Sequence, residues 1–195
     1  MFESNGQILD SDDLTIFQNQ FNLEVESIST DIGGHISTNA CDLIDDCFGA
    51  NLKVQYIMAL SQHTPTTFYY YEGNSWSDWI TSVANTSNPA NVYSIGYTSN
   101  EIEVQQSDKD SFQTEAIKLG VMGTTIVAAS GNDGVLGYLY NNGYECDYFA
   151  QFPASCPYVT AVGGTIGPES DSSEIACISN ADSNVLITSG GGFSN

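Results

Sequence analysis

The sequence predicts an α/β fold in which a mainly parallel β-sheet is covered by helices on both faces. Two observations carry this prediction. Segments with helical periodicity alternate with strand-like segments through the middle of the chain, and the strand-like segments are apolar and β-branched enough to be buried. A chain of 195 residues that is 41 % hydrophobic can also bury a substantial core. We therefore expect a globular α/β chain.

Four segments carry apolar residues at helical spacing. Ser11 is a candidate N-cap for the first, which places Leu14, Phe17 and Phe21 on its inner face. Ser75 is a candidate N-cap for a second helix. The apolar residues of that helix recur at i, i+3, i+4 and i+7 and are Trp76, Trp79, Ile80 and Val83.

The other two helical segments are less clearly bounded. Asp108 or Ser111 is expected to open one of them, and Gly120 lies near its end. Its inward-facing residues are predicted to be Phe112, Ala116, Ile117 and Leu119. Residues 50–60 alternate like a strand in their first half and form a continuous apolar run in their second half. The length of this segment favours a helix.

Five strand-like runs lie between and after these helices. They are residues 66–71, 91–97, 124–130, 158–164 and 184–189. Ligands of open parallel sheets bind beyond the carboxyl ends of the strands. The third run ends there in a glycine-rich turn, Ser130-Gly131-Asn132-Asp133-Gly134, which is therefore a candidate site.

The charge of the chain excludes several kinds of partner. Its 24 acidic residues face three lysines and no arginine, so the formal net charge is −21. Such a surface repels phosphate backbones and argues against nucleic-acid binding. Scattered acids are typical of a solvated face, and an acidic compartment would relieve their mutual repulsion by protonating some of them. An acidic or extracellular setting is the expectation.

No segment predicts a membrane interaction. No apolar run approaches the roughly 18 residues of a membrane span. The opening stretch MFESNGQILD has neither the basic nor the apolar region of a signal peptide. We expect a soluble chain with no membrane partner and no signal peptide in this chain.

The five cysteines and two histidines do not match a zinc site, because no C-x-x-C pair occurs. Cys41 and Cys47 could close a short loop in an oxidising compartment, and free buried thiols are the alternative. An odd count leaves one thiol without a partner in this chain. A Ser/His/Asp triad is disfavoured because no serine lies in a Gly-x-Ser-x-Gly turn. Asn85-Thr86-Ser87 is the single N-glycosylation sequon.

Several motifs together resemble the sedolisin family of serine-carboxyl peptidases. They occur in the family's order and are ANLKVQYIMALSQHTPTTFYYY, FQTEAIKLG, TIVAASGNDGV, FPASCPYVTAVGGT and SGGGFS. The resemblance extends over most of residues 1–195. It implies a subtilisin-like α/β fold, which agrees with the alternation of helices and strands, and here an incomplete one.

The resemblance also implies where the catalytic groups should lie. Sedolisins use a serine nucleophile activated by a glutamate, which a second carboxylate four residues further along the same helix orients. Those two positions fall on Gly49 and Lys53 of this sequence. Glycine offers no proton acceptor, and lysine cannot take the orienting role of an aspartate. Carboxylates in place of histidine suit a base that works at acid pH.

A third family carboxyl, which helps to stabilise the oxyanion, falls on Asn132. The asparagine amide keeps a hydrogen-bond donor there without needing acid to stay protonated. An alternative register would make Asp133 the acid, but the Ser-Gly spacing disfavours it. Ser130 and Gly131 are the candidate substrate-binding residues of the same turn. No catalytic position of the family is therefore intact.

The resemblance implies a homologue of an acid-acting endopeptidase or tripeptidyl peptidase. The family's nucleophilic serine and its calcium ligands would lie beyond residue 195, so we expect residues 1–195 to be a partial peptidase domain without a metal or other cofactor. The preferred interpretation is an inactive peptidase homologue. The alternatives are a pseudopeptidase that binds a peptide or protein, or a non-functional gene fragment. The resemblance implies an extracellular or lysosomal/vacuolar location, and the oligomeric state is left open.

Overall fold

The computed structural model describes residues 1–38, 41, 44–73, 75–136, 148–168, 171–179, 187–192 and 194. The chain divides into two compact units, residues 1–74 and residues 75–195. Each unit contains helices and parallel strands, so the predicted α/β class with a mainly parallel sheet is confirmed.

The first unit is built around the buried strand β5. Its described elements are β1 (Phe2–Glu3), β2 (Leu9–Asp10), α1 (Ser11–Gln20), β3 (Thr30–Ile32), β4 (Ile36–Ser37), α2 (Ile44–Leu60) and β5 (Thr67–Tyr70). Strand β5 pairs in parallel with both β1 and β3, and β2 pairs in parallel with β4. The core between α1, α2 and this sheet consists of Met1, Leu9, Leu14, Ala50, Val54, Met58, Phe68 and Tyr70.

Two of the helix predictions in this unit need comment. Residues 50–60 are helical, as their length indicated, and the helix begins earlier, at Ile44. Helix α1 begins at Ser11, but its N-cap is Asp10, whose Oδ1 accepts hydrogen bonds from the backbone N–H groups of Asp12 and Asp13 at 2.9 and 3.2 Å. The prediction of Ser11 as the cap was therefore wrong. A carboxylate satisfies the free N–H groups and the helix dipole together.

The second unit is organised around β8. Its described elements are α3 (Trp76–Ala84), β6 (Val92–Ile95), β7 (Ser99–Asn100), a 3-10 helix (Glu101–Glu103), α4 (Gln106–Val121), β8 (Thr125–Ala129), β9 (Gln151–Phe152), β10 (Thr160–Val162), β11 (Thr165–Ile166) and β12 (Ile175–Ala176). Strand β8 lies between β6 and β10, parallel to both. Two short antiparallel pairs, β7 with β9 and β11 with β12, complete the described strands.

Helix α3 agrees with its sequence pattern. Ser75 is its N-cap, and its Oγ accepts a hydrogen bond from the backbone N–H of Asp78 at 3.2 Å. Trp79, Ile80 and Val83 are buried. Val83 lies about one turn beyond both Trp79 and Ile80, so the three side chains share one face of the helix, and α3 packs against α4.

The start and one face of α4 differ from the prediction. The helix begins at Gln106, before both Asp108 and Ser111. Asp108 lies in its first turn and accepts hydrogen bonds from the N-terminus of α3 instead of capping its own helix. The side chains of Phe112, Ala116 and Leu119 are buried as expected, but Ile117 is 40 % exposed. It lies one position beyond Ala116, which turns it about 100° away from the core.

Four of the five predicted strand runs contain a strand. These are β5, β6, β8 and β10, each shorter than its run. Of the fifth run, residues 184–186 lie outside the described residues, and Thr188 forms one isolated parallel bridge with Asp133. The sequence did not predict the short strands β1–β4, because two or three residues are too few to show a period of two.

One disulfide joins Cys41 to Cys47 at the start of α2, with their Cα atoms 5.4 Å apart. Of the two alternatives for these cysteines, a short disulfide-closed loop or free buried thiols, the structure contains the disulfide. The thiols of Cys156 and Cys177 are free and buried, and Cys146 lies outside the described residues. No helix in the described part of the chain is long and apolar enough to cross a membrane.

Candidate functional site

Gly49 and Lys53 lie one turn apart on α2, in the first unit. The Nζ atom of Lys53 forms a bidentate ion pair with Glu3 of β1, at 2.7 Å from Oε1 and 3.0 Å from Oε2. The Glu3 side chain is fully buried, and that of Lys53 is one-fifth exposed. Burial lowers the pKa of the Lys53 ammonium group below its ordinary value, and the nearby Glu3 carboxylate offsets part of this effect. Position 53 therefore holds a partly buried cation that pairs with a fully buried carboxylate.

The space beside Gly49 is occupied by the side chain of Gln7. The Oε1 atom of Gln7 accepts hydrogen bonds from the backbone N–H groups of Gly49 and Ala50 at 2.8 and 3.1 Å. A Cβ atom at position 49 would lie 2.8 Å from that oxygen and 3.8 Å from the Nζ of Lys53. Any larger residue at position 49 must displace the end of the Gln7 side chain. The Gln7 amide and the Lys53 ammonium group thus lie at the two positions where the sequence resemblance predicts the family's carboxyl groups.

The turn after β8 lies in the second unit and has a backbone that requires glycine. Gly131 has φ +99°, and a Cβ there would lie 2.7 Å from the Cγ of Gln151. Gly134 also has a positive φ of 63°. L-residues with a side chain rarely adopt these dihedral angles. The two glycines thus let the chain turn sharply at the end of a parallel strand.

Residues 187–191 hold this turn in place through the backbone. The N–H of Thr188 donates to the carbonyl of Asn132 at 2.7 Å, and the N–H of Gly190 donates to the carbonyl of Gly131 at 2.9 Å. In the reverse direction, the N–H of Gly134 donates to the carbonyl of Thr188 at 3.0 Å. The main chain of the turn is therefore held by backbone hydrogen bonds.

Asn132 has the exposure that a ligand-binding group needs. Its side chain is exposed, and its amide makes no hydrogen bond to any described residue. A primary amide provides two N–H donors and one acceptor. The structure therefore places a free hydrogen-bond donor at the tip of the turn. Asp133, the alternative acid, is only partly exposed.

The Ser130 hydroxyl points away from solvent. Its Oγ is buried and has no hydrogen-bond partner among the described residues. A Cβ on Gly163 would lie 3.3 Å from this oxygen, and a Cβ on Gly190 would overlap the Ser130 carbonyl oxygen. The backbone N–H of Ser130 donates to Val162 at 2.9 Å. Ser130 is thus packed beneath the turn, and Gly131 and Asn132 form its outer part.

Three glycine-containing motifs meet at this turn, which the sequence alone did not predict. Ser189 of the SGGG motif bridges to Gly164 of the AVGG motif, because its Oγ donates to the Gly164 carbonyl at 2.7 Å and accepts from the Gly164 N–H at 2.8 Å. Glycine in a motif marks positions where backbones approach closely. The glycines therefore indicated that each of these segments packs closely against other backbone, but they did not indicate which segments pack together.

One cluster of potential metal ligands occurs in the described part of the chain. It consists of Asp10, Asp13 and Cys41. The Cys41 sulfur is already in the disulfide, Asp10 caps α1, and Asp13 accepts a hydrogen bond from the Nδ2 of Asn51 at 3.0 Å. These groups serve the packing of α1 against α2.

Comparison with known proteins finds tripeptidyl peptidases among the relatives of this chain, and no family model matches it. The chain is 34 % identical to tripeptidyl-peptidase 1 of Dictyostelium discoideum over 189 residues. The aligned region covers 94 % of this chain and 28 % of that protein. The chain is 37 % identical over 138 residues to tripeptidyl-peptidase SED1 of Arthroderma otae, covering 61 % of this chain and 21 % of the relative. Human tripeptidyl-peptidase 1 is 32 % identical to the chain over 151 residues, which cover 75 % of this chain and 25 % of the human protein. The chain thus spans less than a third of these relatives' length.

A solved structure supports the same assignment at the level of fold. Pseudomonas sedolisin, a serine-carboxyl proteinase complexed with two molecules of pseudo-iodotyrostatin, superimposes with a TM-score of 0.68 at 21 % identity. The match covers 100 % of this chain and 57 % of that chain. The subtilisin-like fold and the family resemblance of the sequence motifs are therefore confirmed. Together, the relatives, the fold and the ordered motifs show that this chain belongs to the sedolisin family of peptidases and peptidase homologues.

Proposed function

We propose that this chain is a sedolisin homologue that binds peptides and does not hydrolyse them. The observation that carries the proposal is the buried ion pair between Lys53 and Glu3, with Nζ 2.7 Å from Oε1. A protonated lysine held by a carboxylate neither accepts a proton from a nucleophile nor orients a base. Gly49, one turn earlier, has no side chain that could act as that base.

The loss of both positions removes the general base that the family's mechanism requires. Members of such a catalytic unit act together, and removal of one typically lowers kcat by about 10⁴ to 10⁶. The turn after β8 keeps its glycines and its exposed Asn132 amide. The turn can donate a hydrogen bond to a peptide carbonyl oxygen. Neither Gly49 nor Lys53 offers a proton acceptor that could activate an attack on that carbonyl group.

A cleavage assay tests the first half of the proposal. The purified chain is incubated with denatured protein and with an N-terminally free peptide between about pH 3 and pH 6, the range in which carboxylate bases titrate. We expect no cleavage above the rate without enzyme. Sustained cleavage that disappears in an Asn132→Ala variant would contradict the proposal, because it would show a working site built on this turn.

A binding assay tests the second half. Pseudo-iodotyrostatin, the compound named in the sedolisin complex, serves as the probe in an isothermal titration. We expect Asn132→Ala to weaken binding about tenfold, which corresponds to about 1.4 kcal/mol and to the loss of one hydrogen bond. Asn88→Ala is the matched control, because Asn88 is also exposed and makes no hydrogen bond to a described residue. Equal binding by wild type and both variants would contradict a role for Asn132.

We also propose an oxidising and acidic location, of the extracellular or lysosomal/vacuolar type. The Cys41–Cys47 disulfide and the net charge of −21 support this proposal. Immunolocalisation of the protein in the source cells tests it. Expression confined to a reducing compartment would contradict it, because glutathione keeps thiols reduced there.

A further inference from the structure

The sequon Asn85-Thr86-Ser87 lies at the end of α3, where the chain leaves the helix. Residues 85–88 are four consecutive exposed residues. N-glycosylation requires an asparagine followed two residues later by serine or threonine, with no proline between them, on a surface that can hold a bulky sugar. The backbone context of Asn85 meets each of these requirements.

The atoms that would react are available. The Nδ2 atom of Asn85 makes no hydrogen bond to a described residue, and neither does the hydroxyl of Ser87. The Oδ1 atom of Asn85 accepts one hydrogen bond from the Nζ of Lys118 at 3.2 Å. A glycosylated amide keeps this oxygen as an acceptor, so the modification would not disturb the contact between α3 and α4.

The helix end gives no structural reason for an asparagine. Asparagine is favoured at helix C-termini where the backbone turns left-handed, but Asn85 has φ −93° and lies in the right-handed region. Its side-chain bond to Lys118 is exposed, and exposed contacts of this kind contribute little to stability. The side chain is thus free for another role.

The disulfide between Cys41 and Cys47 provides an independent observation about the compartment. Disulfides of this kind form in the secretory pathway, where N-glycosylation also takes place. The modification site and the oxidised cysteine pair therefore require the same route through the cell.

We propose that Asn85 carries an N-linked glycan. In the reaction, Nδ2 forms a bond to the anomeric carbon of an oligosaccharide, the bond from that carbon to a lipid-linked diphosphate breaks, and Nδ2 loses a proton. The co-substrate is thus a lipid-diphosphate-linked oligosaccharide. This site is separate from the candidate peptide-binding turn and stands whether or not that proposal holds.

The test is to produce the chain with a secretion signal in a eukaryotic host and measure its intact mass before and after peptide-N-glycosidase treatment. We expect a heterogeneous mass that collapses to the mass of the polypeptide, with Asn85 converted to aspartate. Ser87→Ala should abolish the modification, Ser87→Thr should preserve it, and Asn88→Gln should leave it unchanged because Asn88 is not in a sequon.

A second format keeps the test valid if a variant fails to fold or to be secreted. Translation in the presence of microsomes reports glycan attachment as a gel shift during translocation, before folding is complete. A shift in wild type and Ser87→Thr but not in Ser87→Ala or Asn85→Gln supports the proposal. An unmodified Asn85 in the translocated wild-type chain, or a shift that persists in Asn85→Gln, would overturn it.

Discussion

At the scale of single residues, the structure gives Lys53 and Gly49 of α2 a role in packing. Lys53 is held by the buried Glu3, and the space beside Gly49 is filled by Gln7. A buried carboxylate is costly unless it is paired, so Glu3 and Lys53 depend on each other. A carboxylate at position 53 would lie close to Glu3, and two like charges at that distance would repel each other.

The Glu3–Lys53 pair makes a prediction about stability. Lys53→Met should lower the free energy of unfolding by about 3 kcal/mol, because it removes the ammonium group that pairs with the buried Glu3 carboxylate. The double variant Glu3→Gln/Lys53→Met should lose less than the sum of the two single variants, since the charges disappear together. Urea denaturation measures all three.

Lys118→Met is the matched control for that experiment. Lys118 pairs with Glu115 at 3.2 Å on the exposed face of α4. An exposed pair contributes about 0 to 1 kcal/mol, so this variant should stay close to wild type. Equal losses for Lys53→Met and Lys118→Met would contradict the structural role of the buried pair.

Gly131 makes a second prediction at the residue scale. Gly131→Ala should destabilise the protein by about 1–3 kcal/mol, because a positive φ and contact with Gln151 both oppose a side chain. Gly120→Ala is the control, since a Cβ there meets nothing within 4 Å and the residue lies in α4. That variant should stabilise by about 0.5–1 kcal/mol. Thermal unfolding that ranks the two variants in the opposite order would contradict this account.

At the scale of elements, one carboxylate of α4 binds the N-terminus of α3. Oδ1 of Asp108 in α4 accepts from the Oγ of Ser75 at 2.8 Å and from the N–H of Ser77 at 2.9 Å, and its Oδ2 accepts from the N–H of Trp76 at 3.3 Å. Burial raises the pKa of Asp108, but these hydrogen bonds from Ser77, Ser75 and Trp76 outweigh it, and the pKa lies below its ordinary value. Asp108 thus caps the N-terminus of the neighbouring helix.

The lowered pKa of Asp108 predicts a pH dependence. The folded state stabilises the ionised form of Asp108 more than the unfolded state does. This contribution to the free energy of unfolding is fully present above the unfolded-state pKa of about 3.9, and it is lost as the pH falls through the lower folded-state pKa. At pH 7, Asp108→Asn should cost about 1–2 kcal/mol, in the range of other lost helix caps.

The control for Asp108 is Asp110→Asn in the same helix turn. The Oδ1 of Asp110 is exposed and accepts from the Nε2 of Gln106 at 2.8 Å. Substitution of Asp110 should change the free energy of unfolding by no more than about 0.5 kcal/mol at both pH 7 and pH 2. The difference between wild type and Asp108→Asn should shrink below pH 3. A difference that is constant from pH 7 to pH 2 would contradict the capping role of the carboxylate.

At the scale of the whole molecule, the net charge of −21 dominates the electrostatics. Like charges repel in the compact state, and salt screens that repulsion. We expect the Tm at pH 7 to rise when the salt concentration increases from about 20 mM to about 500 mM. The rise should be smaller near pH 4, where about half of the carboxyl groups are protonated. A Tm that falls with salt at pH 7 would show that ion pairs outweigh the repulsion.

Much of the fold and the family could be predicted from the sequence alone. The strands β5, β6, β8 and β10 each lie within a predicted apolar run, and Ser75 begins α3 as its capping pattern indicates. The ordered motifs identified the family, and the relatives confirm it. The assignment of Gly49 and Lys53 to the family's carboxyl positions also comes from the sequence and stays a prediction. Periodicity and the order of motifs are properties of the linear sequence, so they can be recognised without the tertiary structure.

Only the tertiary structure decided which residues became partners. The ion pair joins Lys53 to a residue 50 positions earlier, and the SGGG segment meets the turn after β8 more than 50 positions from it. Asp108 accepts a hydrogen bond from the hydroxyl of Ser75, which lies 33 positions earlier. The sequence pattern around Asp108 instead predicted that it caps its own helix. The path of the backbone determines contacts between distant residues, and periodicity reports only which face of its own helix or strand a side chain occupies.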